Sequence, residues 1–276
     1  MLKPLILSVC ILSPISFASE LTLGSGTEQG LSRLQSLWAE ASEGDNWQLA
    51  AGLGVAYAPE VLGGKKYKAS PMASLEVAHR SGFFISSSNG IGWSYTDNPA
   101  WQAAVFLGQS ASRDEKDKLT DKITFKGMGK ISSALQAGAS VNYTLGDVEL
   151  SSVITTGLSE KNRGVQLTLG ADYTAYASEQ FALTLNSALT ASNGKYQQRW
   201  YGVTAQQAKN SRFKAYQAGS GLTLASVGIT GIVPINKELR LISNVTYNQL
   251  LGDAADSPLV KSKGSGAFST YLQYTW

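Results

Sequence analysis

Residues 268–276 read FSTYLQYTW. Phe268, Leu272, Tyr274 and Trp276 fall on one parity, with Thr270 as its polar member, while Ser269, Tyr271 and Gln273 fall on the other. Alternation of this kind marks a strand with two unlike faces. Chain ends usually fray, so a strand that alternates up to a final tryptophan is expected to be paired to its last residue. A closed sheet, whose last strand meets its first, imposes that need.

The same period runs back through the chain. Trp47, Leu49, Ala51, Leu53, Val55 and Tyr57 share one face against Gln48, Ala50, Gly52, Gly54 and Ala56. Ile131, Leu135, Ala137, Ala139, Val141 and Tyr143 oppose Ser132, Gln136, Gly138, Ser140, Asn142 and Thr144. Residues 148–158, 165–175, 181–191 and 239–247 repeat the pattern. Each run approaches the ~9–11 residues that a tilted strand needs to cross a bilayer. In lipid both edges of every strand must be paired, which requires closure.

A soluble β-sandwich also alternates, but packs its inner positions with branched side chains. Here the face opposite the apolar one is Gly, Ala, Ser, Thr, Asn and Gln. Trp47, Tyr57, Trp101, Tyr143, Tyr173, Phe181, Tyr247 and Trp276 stand at or near run ends on the apolar side, where interfacial girdles belong. The expected fold is all-β, a closed antiparallel transmembrane β-barrel over 46–276.

Strands are expected over 46–58, 70–79, 82–88, 91–95, 100–109, 130–144, 147–158, 164–176, 180–192, 219–233, 238–250 and 265–276. Long connectors then alternate with short turns, as external loops and periplasmic turns do in outer-membrane barrels. The stretch GFFISSSNGIGWSY, 82–95, decides the strand count. With Asn89-Gly90 as a two-residue hairpin turn it gives two short strands and a barrel of twelve. As one strand it would place every later long loop on the periplasmic side.

The N-terminus, MLKPLILSVCILSPISFASE, reads as a secretory signal over 1–18: Lys3, an apolar core from Leu5 to Ile15, and cleavage after Ser16-Phe17-Ala18. Lipoprotein processing at Cys10 is disfavoured by bulky Val9 before it. Cleavage removes the chain's one cysteine, which excludes disulfides and thiolate metal sites, and takes the formal charge from +3 to +2. No nucleic-acid partner is expected at that charge. Glycine is frequent at 28 residues and charged residues are scarce at 16%, against the usual quarter or so. In the expected periplasmic leader, 19–45, Leu31, Leu34, Leu37, Trp38 and Ala41 recur at helical spacing. This predicts a short amphipathic helix over 28–43 that needs a surface to pack on, and makes Leu31, Leu34, Leu37 and Trp38 a candidate docking face for a periplasmic partner.

The residues offer little chemistry. The chain's one histidine, His79, and Ser81 stand two apart, as a general base and nucleophile on one strand face would. They fall at an expected periplasmic turn, however, with no acidic residue placed to orient the ring. Neither metal, cofactor nor catalytic residues are expected. Glu149, Asp172 and Arg240 fall on the lumen face, where charges either select ions or brace the wall. The loop at 110–129, SASRDEKDKLTDKITFKGMG, mixes both signs and reads as a solvated face. Thr204-Ala205-Gln206-Gln207 has capping-box spacing and predicts a short surface helix.

Four stretches resemble a known family: SGFFISSSNGIGW (81–93), YGVTAQQAKNS (201–211), AYQAGSGL (215–222) and LLGDAADSPLV (250–260). They are similar to the MltA-interacting protein/OmpV family of Gram-negative outer-membrane proteins, with likeness extending from about Trp47 to Trp276. The resemblance implies a barrel in the cell outer membrane without enzymatic activity. Its implied role is a scaffold joining a lytic murein transglycosylase to a bifunctional penicillin-binding protein. The alternatives are a channel for small solutes and an adhesin acting through external loops. By analogy with other bacterial barrels, Phe268, Leu272, Tyr274 and Trp276 would form the closing strand read by the barrel assembly machinery.

Overall fold

The computed structural model describes residues 46–98, 100–159 and 164–276. The expected signal segment and the leader with Leu31, Leu34, Leu37 and Trp38 lie outside the described residues.

Every long alternating run contains a strand, though the run read from Ile131 becomes one only at Leu135, because Ile131 bridges Arg113 and is buried. The strands are β1 (Trp47–Pro59), β2 (Tyr67–His79), β3 (Phe83–Ser86), β4 (Gly90–Asn98) and β5 (Trp101–Gln109). A small hairpin follows, β6 (Lys118–Thr120) and β7 (Ile123–Thr124). Then come β8 (Leu135–Leu145), β9 (Val148–Gly157), β10 (Val165–Ala177) and β11 (Ala182–Ser192). Two helices, α1 (Gly194–Tyr201) and α2 (Ala205–Asn210), precede β12 (Gly221–Pro234) and β13 (Leu239–Leu250). The short α3 (Gly252–Asp256) leads to β14 (Gly264–Thr275).

All strands except β6 and β7 form one closed antiparallel barrel, so the count is twelve. The last strand meets the first: Phe268 stands opposite Tyr57, Leu272 opposite Leu53, and Tyr274 opposite Ala51. The N–H of Trp276 donates to the Leu49 carbonyl at 2.9 Å, so pairing runs to the final residue.

The segment 82–95 does supply two strands, with a correction at its turn. Ser86 pairs with Gly90, so residues 87–89 form a three-residue loop and Gly90 opens β4. Gly90 has φ +82, the left-handed residue that closes such loops, and a Cβ there would run into the Leu107 carbonyl. Because β3 has only four residues, it pairs with β2 only at Glu76–Ala78. Among the described residues, β2 above Leu75 has β1 as its one strand partner. Pro71 lies on that free edge, where a missing N–H costs nothing.

The faces are inverted relative to a soluble protein. Leu53, Val105 and Val227 point outward and are 72%, 60% and 57% exposed, whereas inward Ala50, Asn142 and Asn248 are 0–2% exposed. Trp47 and Phe83 (6.4 Å), Tyr95 and Trp101 (5.8 Å), Tyr176 and Phe181 (6.2 Å), and Tyr274 and Trp276 (4.7 Å) form ring pairs at the end where β1 begins and β14 ends. Tyr57 and Tyr67 (5.3 Å) mark the opposite end. An apolar belt between aromatic rows is what a bilayer selects.

At that opposite end the long loops do not splay into solvent. Residues 60–66, 110–134, 193–220 and 251–263 pack into a crown with its own core of Val61, Leu119, Phe125, Met128, Val203, Phe213 and Leu259. This corrects the solvated reading of 110–129: Leu119, Phe125 and Met128 are 0–3% exposed, and even Arg113 and Asp117 are buried. The capping box is present. Thr204 Oγ1 accepts from Gln207 N–H while Gln207 Oε1 accepts from Thr204 N–H, starting α2 where expected.

Candidate functional site

Three places could carry function: the periplasmic rim, the lumen and the crown. At the rim, His79 ends β2 with its ring against Trp47 at 4.4 Å. Its Nδ1 lies 2.7 Å from Ser81 Oγ and accepts from the Ser81 N–H at 3.2 Å. The pair does meet, but through one nitrogen that also receives the backbone of the turn. The Gly82 N–H donates to the His79 carbonyl in the same turn. That is how short polar side chains close turns, and among the described residues no carboxylate is bonded to the ring.

The inner wall is braced from strand to strand. Glu149 on β9 stands directly opposite Asp172 on β10. Asn142 Nδ2 donates to Glu149 Oε1 (3.2 Å), and Asn186 Nδ2 donates to Asp172 Oδ1 (2.6 Å). From Asn186 the chain of bonds continues: Thr230 Oγ1 donates to Asn186 Oδ1 (2.8 Å), and Asn244 Nδ2 to Thr230 Oγ1 (2.9 Å). Thr246 Oγ1 then donates to Asn244 Oδ1 at 2.6 Å. Amides from neighbouring strands thus hold both carboxylates, and threonine hydroxyls extend the network from Asn186, as buried polar groups require. The sequence marked Glu149 and Asp172 as lumen charges; the register shows that they face each other. Sequence reading missed Glu76, which also points inward and is 2% exposed.

On the side of β2 to β5 the inner wall carries an apolar patch among buried polar residues that include Glu76, Ser86, Ser94 and Gln102. Ala78, Phe84, Ala104, Phe106 and Val153 form a cluster inside the barrel. Two glycines make room for its rings: a Cβ on Gly92 would run into Phe84, and one on Gly138 into Phe106. Phe84 and Phe106 therefore fill lumen space that an open pore would leave to water.

The crown seats on the outer mouth. A cavity of about 60 Å³ is lined by Thr155, Thr168, Thr190 and Thr223 from the wall and by Phe125, Trp200 and Leu259 from the crown. Arg113 anchors the junction. Its Nη1 donates to the Trp200 carbonyl at 2.6 Å, and its guanidinium lies 4.4 Å from the Phe125 ring centre. Ser257 Oγ bonds the Tyr201 carbonyl (2.5 Å), and Gln207 Nε2 the Met128 carbonyl (2.7 Å), tying separate loops together. Burial lowers the Lys261 ammonium below its ordinary value, assisted by nearby Arg212. Among the described residues, no group of three or more His, Cys, Asp or Glu is placed to hold a metal.

A family model described as "MltA-interacting protein MipA" matches residues 51–276. No curated protein matches the chain significantly. Among solved structures, the chain is similar to a "Bacterial polysaccharide outer membrane secretin" at 9% identity and a TM-score of 0.45, over 83% of this chain and 97% of that one. It is similar to "KdgM porin" at 8% and 0.42, over 82% and 98%. It is similar to an anion-selective porin from Comamonas acidovorans at 9% and 0.39, over 83% and 98%. No score among these reaches 0.5, so the barrel rests on its own register.

Proposed function

Because the chain belongs to the MltA-interacting protein MipA family, whose members sit in the Gram-negative outer membrane, we propose that it is a non-enzymatic anchor for murein enzymes. The partner is a lytic murein transglycosylase of the kind named in the family's description. By the same resemblance, a bifunctional penicillin-binding protein is held beside it. The family match across almost the whole barrel carries this reading.

The interior supports it. Bonded carboxylates, two lumen phenylalanines and a seated crown suit a stiff platform better than a conduit. The His79–Ser81 contact is accounted for by turn closure, so no catalytic group is assigned. The periplasmic turns are short, leaving the leader as the docking element, with Leu31, Leu34, Leu37 and Trp38 as its apolar face. Residues 1–18 act as the export signal. Phe268, Leu272 and Tyr274 in the closing strand, with Trp276 directly after it, serve the assembly machinery.

The test is a pull-down with detergent-folded protein and solubilised envelope, read by mass spectrometry. A transglycosylase or penicillin-binding protein should be enriched, and enrichment should disappear when the barrel is unfolded. Failure to retain any murein enzyme, while a control scaffold retains its own, overturns the proposal. Deleting 21–44 then locates the contact: undiminished capture by the folded barrel removes the helix from it.

A further inference from the structure

The crown carries a second feature, on the far side of the membrane from any murein enzyme. A cleft of about 1430 Å³ opens between residues 128–134, helices α1 and α2, and the segment 215–220. Four cationic residues line it, Arg113, Lys130, Lys195 and Arg199, and none of its described lining residues is Asp or Glu. Among the described residues, Lys130 has one carboxylate nearby, Asp114 at 3.8 Å. Lys195 and Arg199 have none within ion-pair distance among the described residues. Arg199 is half-buried, and burial lowers its guanidinium from the ordinary value. A partly desolvated cation without a counter-charge is costly, and an anion entering the cleft would relieve that cost.

The walls are already set. Gln198 Nε2 donates to the Tyr216 carbonyl (3.4 Å) while its Oε1 accepts from the Ala218 N–H (2.9 Å). Val203 and Tyr216 exchange two backbone bonds of 2.8 Å, and the Gly194 N–H donates to Ser220 Oγ at 2.7 Å. These amides and hydroxyls are engaged in building the cleft, as Arg113 is in anchoring the crown, which leaves Lys195, Arg199 and the exposed Gln217 and Ser132 for a ligand. A preformed site loses little entropy on binding.

We infer that this cleft binds the phosphate or carboxylate groups of an anionic oligosaccharide. Its volume exceeds the ~300–1,000 Å³ of a compact small-molecule pocket, which suits a chain of polar units. Its larger aliphatic lining residues Met128, Ile131 and Val203 are buried and the apolar residues it exposes, Ala205 and Ala215, are small, so it offers a protein partner no large aliphatic anchor. It also faces outward, where the outer leaflet of a Gram-negative membrane displays phosphorylated sugars. The source is either that glycolipid or a free acidic polysaccharide.

The experiment titrates the folded full chain in detergent by calorimetry. The probes are the phosphorylated core oligosaccharide released from lipopolysaccharide, the same material after phosphatase treatment, oligogalacturonate, and poly-glutamate. Saturable binding of an anionic sugar is expected, weakening as salt is added. Lys195→Gln/Arg199→Gln should reduce it about tenfold or more, on the scale of a lost charge-assisted bond. Tighter binding of the phosphorylated core identifies the glycolipid as the source; tighter binding of oligogalacturonate identifies a free polysaccharide. The inference is overturned if the double variant binds unchanged, if neither anionic sugar binds, if removing phosphate leaves core binding unchanged and oligogalacturonate does not bind, or if poly-glutamate binds best. Should the double variant fail to fold, Lys195→Gln alone, at an exposed position, must still weaken binding severalfold. The transglycosylase pull-down stays intact in these variants, so the two proposals fail separately.

Discussion

Leu53 on β1 and Leu119 on β6 are the same side chain in two solvents. Leu53 is 72% exposed and sits mid-wall; Leu119 is 0% exposed and sits at the centre of the crown. The wall places its leucines outside because lipid surrounds it, and braces its interior with amides and hydroxyls. The crown, a few residues further along the chain, reverses this and buries its apolar side chains from water. One polypeptide thus follows two opposite patterning rules, and the change falls where strands give way to loops near Pro59, Gln109, Ser192 and Leu250.

The largest expected effect lies in the crown. Phe125→Ala removes a ring packed against Phe213 and beneath Arg113. It should cost about 3–5 kcal/mol of local stability, read as faster amide exchange and proteolysis across 110–134 and 193–220. The heat-dependent mobility of the folded barrel in SDS should not move. If the barrel weakens in step, wall and crown form one cooperative unit and the contrast drawn here is wrong. The wall counterpart is Leu53→Arg. It should cost about 2–4 kcal/mol in denaturant titrations in lipid vesicles, since charge on the lipid face is expensive near mid-bilayer. A soluble protein would tolerate arginine at so exposed a position to within about 0.5 kcal/mol. A neutral result would mean that Leu53 does not face hydrocarbon.

A smaller effect tests the inner wall. Gly138→Ala places a methyl group into the Phe106 ring and should cost about 1–3 kcal/mol by overpacking. Phe106→Leu in the same chain should recover part of that. Absence of both penalty and rescue would mean that the lumen has slack, and would reopen the channel reading. Steady conductance of the wild-type protein in planar bilayers would reopen it directly.

The wall was legible in sequence because one period governs it. Each outward residue announces its face by parity alone, and closure follows because strands in lipid must pair both edges. Even the short β3 could be placed, since loop lengths on either side fix its direction. Its turn was set too late, at 89–90 instead of 87–89, because Asn89-Gly90 looks like a two-residue loop, whereas Gly90 already pairs with Ser86. The crown left almost no such trace. Val61, Leu119, Phe125, Val203 and Leu259 come from four loops, and no local period links them. Only the Thr204–Gln207 cap, a purely local motif, showed through. Lys195 and Arg199 gain meaning when α1 sets them opposite Lys130, which sequence spacing cannot reveal. The mixed charges of 110–129 pointed to solvent because Arg113 and Asp117 find their surroundings only in the folded crown.

Asp117 makes the last and smallest test of that difference. It is 8% exposed, and its Oδ2 accepts from the Asp114 N–H at 2.5 Å. Burial, followed by the charges of Asp114 and Glu60, holds its carboxyl above the ordinary value of 3.8, although Arg113 and the backbone bond pull the other way. A raised carboxylate binds its proton more tightly in the folded crown than in the unfolded loop, so its charge works against the fold. The penalty is fully present above the raised value, shrinks as pH falls through it, and vanishes below 3.8. Asp121 runs the opposite way, because its bond to Lys66 lowers it and its support is lost as pH falls. Comparing wild type with Asp117→Asn at each pH cancels Asp121 and isolates the effect. Measured by amide exchange in the crown from about pH 3 to 7, the variant should gain on the wild type as pH rises through the window. A flat difference would show that Arg113 fully compensates Asp117. A difference of opposite slope would show that Asp117 acts as an ordinary paired carboxylate, and that this part of the crown is as solvated as its sequence suggests.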